Sequence, residues 1–246
     1  MLTLLLALLV LPVSSCEDPA PTYGRATECE VRELSLPATD VLTVENRVSG
    51  GIEVVGWDRD EIRVVAIVRA YGTNGRSPAE LLAATTIETD GNRIENVTAG
   101  GGWVEVRYKL YVPHHIDLTA DTNNGALAVT GVTGTLDLDT NNGTVRLADI
   151  GGDVTARTSN GDVLVTASGT TWDGTGLRVS TSNGNVRLTV PGYYAAVVEA
   201  ETRYGNVGAR MPGIHAASET SRFYLGAGGP TLRLRTSHGD VQVVQV

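Results

Sequence analysis

Aromatic side chains are scarce. There is one phenylalanine, and Phe, Trp and Tyr together make up 5% of the 246 residues, so any core must be largely aliphatic. Cysteine is nearly absent. With only Cys16 and Cys29, the chain has neither a multi-disulfide framework nor a multi-cysteine zinc centre. Positive charge is also short. Nineteen Lys and Arg oppose 28 Asp and Glu, for a net charge of −9, and no basic stripe runs along the sequence. Nucleic acid is therefore not an expected partner. The four histidines, His114, His115, His215 and His238, show no pair at helical spacing. On a strand, His114 and His115 would point to opposite faces, and no metal or cofactor is expected. Gly-rich "TAGGG" and "LGAGG" do not lie between a strand and a helix, as a phosphate loop requires, and no Gly-x-Ser-x-Gly elbow is present.

The one long apolar run, "MLTLLLALLVLPVSSC", is too short to span a bilayer comfortably and ends in small residues. It reads as a secretory signal over residues 1–15. Val13-Ser14-Ser15-Cys16 resembles the bacterial lipobox, which implies lipidation at Cys16 and a membrane contact through that anchor. No Lys or Arg precedes the run, a departure from the usual signal. An acylated Cys16 leaves Cys29 without a partner; a free Cys16 can close a short disulfide loop with it. Residues 16–29 are polar, contain two prolines and read as a tether. Fully stretched, its residues 17–28 reach roughly 40 Å.

From about residue 30 to residue 246 the pattern is that of one β-rich domain. Gly is frequent at 29 residues, and apolar residues alternate in "VLTVEN", "IEVVGW" and "IRVVAIVRA". One short helix is expected near 78–85, with Ser77 as N-cap, Pro78 at the first helical position and Glu80 completing a capping box. A phrase then recurs six times, centred on Asn124-Gly125, Asn142-Gly143, Asn160-Gly161, Asn183-Gly184, Gly205 and Gly239. The first intervals are 18 residues, and later ones take insertions such as "GTTWDG" and "PGYYAA".

Within a unit Val154, Ala156 and Thr158 share one face, and Thr155 and Arg157 point the other way. Each unit is thus two short strands joined at the Asn-Gly corner, where the glycine is expected to supply positive φ. Asn-Gly between alternating strands is also a strong hairpin signal. The near-identity of the copies at fixed spacing favours stacking. The expected fold is an all-β, right-handed parallel β-solenoid with coils of about 18 residues; the alternative is an antiparallel β meander or sandwich.

The span "YKLYVPHHIDLTADTNNGALAVTGVTGTLDLDTNNGTVRL", together with the earlier "NRVSGGIEVVGWDRDEIRV", resembles the bacterial putative-adhesin domain family over residues 30–246. That resemblance implies a β-solenoid and an extracytoplasmic location, and no established activity. The corners "RYG" at 203–205 and "SHG" at 237–239 depart from the repeat.

Two residue groups could carry function. Asp121, Asp139, Asp153, Asp162 and Asp240 lie near corners, where stacking could align some of them for calcium; ordinary turn chemistry is the alternative. Trp172, Tyr193, Tyr194, Tyr204, Phe223 and Tyr224 fall in insertions or irregular corners, either as platforms for sugar rings or partners, or as caps packed on the solenoid. The leading expectation is a non-enzymatic, lipid-anchored envelope protein, periplasmic or surface-exposed, whose solenoid is an adhesion or interaction scaffold for an envelope protein or glycan. The alternatives are a calcium-dependent, lyase-like enzyme acting on polysaccharide and an envelope-stress regulatory sensor.

Overall fold

A computed structural model describes residue 16 and residues 26–73, 75–210 and 220–246. The expected signal and most of the expected tether lie outside the described residues. The first strands are β1 (Thr27–Pro37), β2 (Val41–Ser49), β3 (Ile52–Trp57) and β4 (Glu61–Tyr71). Helix α1 (Pro78–Ala83) follows, then β5 (Thr85–Asp90), β6 (Arg93–Thr98) and β7 (Trp103–Pro113). Five strand pairs come next: β8 (Asp117–Asn124) with β9 (Leu127–Thr130), β10 (Thr133–Asn142) with β11 (Val145–Ala148), and β12 (Gly151–Asn160) with β13 (Val163–Thr166), then β14 (Gly176–Asn183) with β15 (Val186–Val190) and β16 (Ala196–Tyr204) with β17 (Val207–Arg210). The described chain closes with β18 (Thr220–Leu225), β19 (Thr231–His238) and β20 (Val241–Gln245).

Equivalent strands of successive repeats pair side by side and in parallel. Leu118 lies beside Leu136, Leu136 beside Val154, and Val154 beside Leu177. After the corner the same holds for Leu127, Val145, Val163 and Val186. This overturns the antiparallel meander, in which neighbouring copies would run in opposite directions. Two faces result. On the first the strand order is β5-β6-β2-β8-β10-β12-β14-β19-β16-β18. On the second it is β1-β4-β7-β3-β9-β11-β13-β15-β20-β17.

The purely parallel expectation needs correction at the ends. The β1–β4, β4–β7, β5–β6 and β16–β18 pairs are antiparallel, so the all-β assembly is solenoid-like with a mixed sheet. A stack of parallel repeats ends in open strand edges, and added hairpin strands and a helix are a way of covering them. In α1 the capping box forms as expected: the Ser77 amide donates to Glu80 Oε2 at 2.7 Å, and the Glu80 amide donates to Ser77 Oγ at 3.3 Å. The helix stops at Ala83 because Thr85 already pairs in β5, and Leu81 and Leu82 are buried. Strand β1 begins at Thr27, and Cys29 pairs with Arg69, so sheet starts within the segment read as a tether.

The repeat order also differs from the sequence order. Strands β19 and β20, last in the chain, lie between β14–β15 and β16–β17. The layer they complete is therefore fixed only when the C-terminus is in place. The core between the faces is aliphatic, as the composition requires: Leu118, Leu136, Val154, Leu177 and Leu232 are all at most 1% exposed.

Candidate interaction surfaces

Three ladders organise the corner between the faces. The innermost comes from the threonine three residues before each repeat glycine. Thr122, Thr140, Thr158, Thr181, Thr236 and Thr202 are buried, and each hydroxyl donates to the carbonyl of the glycine in the preceding layer at 2.8 or 2.9 Å. The acceptors, in the same order, are Gly50, Gly125, Gly143, Gly161, Gly184 and Gly239. This row gives the buried corner carbonyls a side-chain donor, and its part in the repeat went unread in the sequence although the threonine recurs in every copy.

The glycines themselves are needed only in part for the reason expected. Gly184 and Gly239 have positive φ, but Gly125, Gly143, Gly161 and Gly205 do not. A Cβ on Gly143 would stand 1.9 Å from the Gly125 carbonyl oxygen, and one on Gly205 would stand 2.0 Å from that of Gly239. Close approach of one layer to the next is what excludes side chains here. The tight backbone lies at the opposite corner, at Gly131 (φ 70°) and Asp149 (φ 50°).

Outside the threonines runs an exposed amide ladder. Asn142 Nδ2 donates to Asn124 Oδ1 at 2.8 Å, Asn160 to Asn142 at 2.9 Å and Asn183 to Asn160 at 3.0 Å. It continues as an aromatic stack, because Asn183 is flanked by His238 and His238 by Tyr204. The Tyr204 and His238 rings lie 4.8 Å apart, and the Arg203 guanidinium sits 5.4 Å from the Tyr204 ring centroid. The two irregular corners of the sequence are thus neighbours and keep the repeat register. On the second-face side Asn185 N donates to Asp162 at 2.7 Å, Asp240 N to Asn185 at 2.9 Å and Asn206 N to Asp240 at 2.9 Å.

The first face carries paired charge. Arg157 meets Asp137, Arg178 meets Asp153, and Arg235 meets Glu201, each at 3.1 Å. An open groove of about 460 Å³ runs beside the aromatic stack, lined by Ser159, Ser180, Ser182 and Ser237, by Arg157, Arg203 and Arg235, and by the carboxylates of Asp139 and Glu201. Asp139, at one end of this groove, lies side by side with Asp121 on β10 and β8. Partial burial raises both carboxyls, helped by Glu45 for Asp121 and by Asp121 for Asp139.

Of the five expected aspartates, stacking aligns Asp121 with Asp139 and sets the other three apart. Asp153 pairs with Arg178, whereas Asp162 and Asp240 belong to the second-face ladder. Among the described residues no group of three or more His, Cys, Asp or Glu is placed to hold a metal ion. His114 Nδ1 donates to the Gly131 carbonyl at 2.6 Å, and His115 Nδ1 contacts the Thr133 hydroxyl at 2.5 Å. The aromatics divide. Trp172, Tyr194 and Phe223 are buried, with Trp172 Nε1 donating to the Gly152 carbonyl at 3.0 Å, while Tyr193, Tyr204 and Tyr224 are exposed. Burial raises the Tyr194 hydroxyl to about 12.

Cys16 and Cys29 are joined in a disulfide, with Cα atoms 6.2 Å apart. A lipid thioether uses the same Cys16 sulfur, so bridge and anchor are mutually exclusive states. No helix among the described residues is long and apolar enough to cross a membrane.

Against known proteins, the profile of the Toastrack DUF4097 family matches residues 35–244. No curated protein matches the chain. Among solved structures, a "putative cell adhesion protein" from Clostridium sporogenes is similar at 13% identity and a TM-score of 0.44, covering 90% of this chain and 100% of that one. A "putative adhesin" from Bacteroides fragilis is similar at 9% identity and a TM-score of 0.42, covering 88% of this chain and 97% of that one.

Proposed function

Because the chain belongs to the Toastrack DUF4097 family, we propose that it is a non-enzymatic, lipid-anchored protein of the bacterial cell envelope, periplasmic or surface-exposed, that works as an adhesion or interaction scaffold. In this reading the repeats wind as a right-handed coil of about 18 residues per turn, the hand that parallel crossovers adopt. The anchor is Cys16, released from its bridge with Cys29, and residues before the sheet act as the tether. Contact is made at the first face, where the Tyr204–His238 stack stands beside the serine-lined groove.

The observation that carries this reading is that stack. Tyr204 is 58% exposed, yet its ring is held 4.8 Å from His238 by two strands in fixed register. A pre-positioned flat ring flanked by hydroxyls and a guanidinium suits the apolar face and hydroxyl groups of a sugar, or a planar side chain of an envelope protein. Retention of cell-wall fractions and envelope proteins on immobilised protein tests the contact. Wild type retains a glycan or protein that Tyr204→Ala loses while its circular dichroism is unchanged; no retention from either fraction overturns it. Mass spectrometry of the mature N-terminus tests the anchor, since lipid on Cys16 and a Cys16–Cys29 bridge differ in mass.

A further inference from the structure

Six strands of the second face differ in charge from the rest of the molecule. The outward residues of β9, β11, β13, β15, β20 and β17 include Arg146, Arg187 and Arg210, all exposed, and no carboxylate, in a chain whose net charge is −9. None of these arginines makes an ion pair among the described residues. Arg187 donates to Gln242 Oε1 at 2.7 Å, a neutral partner. On the first face, by contrast, Arg157, Arg178, Arg233 and Arg235 each meet an acid, and Arg203, which meets none among the described residues, lies over the Tyr204 ring.

The register spaces the second-face arginines. Arg146 and Arg187 share one row across the strands, with Leu164 between them. That separates their backbones by two strand spacings, about 9.6 Å. Arg210 lies two strands further, beside Val244 in the adjacent row, so the three form a slightly oblique line along the stack. Between them lie small or neutral side chains: Thr166, Thr189, Gln242 and Gly208. Gly208 leaves a notch of about 350 Å³ bordered by Arg187, Gln242 and Arg210. A second notch of about 370 Å³, also walled by Arg187, opens over Leu164 and Thr166, with Asp162 at its corner end as the one carboxylate in its lining.

We propose that this face binds a linear acidic polysaccharide, with Arg146, Arg187 and Arg210 contacting carboxylates along the chain and Thr189 and Gln242 its hydroxyls. Charge complementarity selects the anion, since guanidiniums that meet no acid among the described residues are available to an external one. The outward positions of these strands carry no aromatic anchor of the kind that seats a protein in a lipid interface, which favours a hydrophilic polymer over a membrane. The contact is separate from the Tyr204 groove and does not depend on it.

The full chain is passed over immobilised polygalacturonate, neutral dextran and phosphatidylglycerol vesicles across a salt series. Wild type binds polygalacturonate, ignores dextran and is released as salt rises. Arg146→Gln, Arg187→Gln and Arg210→Gln combined weaken binding about tenfold, or about 1.4 kcal/mol. Arg157→Gln with Arg178→Gln on the first face leaves it within about twofold, and Tyr204→Ala leaves it unchanged. Wild-type affinity in the triple variant overturns the proposal, as does a failure of wild type to bind polygalacturonate at low salt. Arginine-dependent binding to vesicles without binding to polygalacturonate would assign the face to lipid instead.

Discussion

Thr158 donates its hydroxyl to the Gly143 carbonyl at 2.9 Å, fifteen residues back in the chain and one layer back in the stack. Five equivalent bonds repeat it, so the corner is held by side chains as well as by strand pairing. Thr158→Val keeps the shape and removes the donor. It is expected to lower stability by about 1–3 kcal/mol, because the buried carbonyl loses a partner. Thr158→Ser keeps the donor and should lose less. Urea denaturation of both variants checks this; equal stability of Thr158→Val and wild type would show that the ladder is dispensable.

Glycine tolerance should follow layer contact. A Cβ at Gly161 would lie 2.1 Å from the Gly143 carbonyl oxygen, whereas one at Gly208 meets nothing within 4 Å. Gly161→Ala is expected to be severely destabilised or insoluble. Gly208→Ala is expected to be neutral or slightly stabilised, since it removes unfolded-chain freedom at a permissive site. Paired thermal melts separate the two, and a harmless Gly161→Ala would refute the close-approach argument.

The inserted C-terminal layer makes the end of the stack interdependent. Leu234 on β19 is fully buried and pairs with Val179 on one side and Ala200 on the other. Leu234→Ala should cost about 2–5 kcal/mol. Hydrogen exchange should then rise in β16 and β17 as well as in β19 and β20, although the former lie earlier in the chain. Exchange confined to β19 and β20 would count against this coupling.

Asp139 predicts a pH effect. Its carboxyl is raised by burial and then by Asp121, so the folded chain holds that proton more tightly than the unfolded chain. The sign follows from linkage: the contribution of Asp139 to stability is fully present below the unfolded value, about 3.9, and is lost as pH rises through the higher folded value. Asp139→Asn should therefore melt higher than wild type above that window, and the difference should vanish below it. A variant that melts lower than wild type at pH 8 would contradict the assignment.

Much of the fold is legible from local patterns. The capping box at Ser77 and Glu80 forms as written, because its parts lie three residues apart. The regular repeats stack in the register their 18-residue spacing implies, as Asn142 on Asn124 shows. The candidate surface is less legible. The irregular corners at Tyr204 and His238 gave no sign that they belong together, since the stack places the later copy before the earlier one. The aromatics of the insertions read alike in sequence, yet Trp172 and Tyr194 are buried and Tyr193 is exposed.

By itself the sequence determined which side of each strand is apolar, where each strand turns and that successive copies share one shape. Those are properties of a few neighbouring residues, governed by alternation and steric contact. Only the tertiary structure decided the order of the last layers, the antiparallel covers at the ends and the placing of Arg146, Arg187 and Arg210 along one face. These depend on which distant strand completes a backbone ladder and buries an apolar column, and strands of nearly equal pattern compete for that place until the whole stack is assembled.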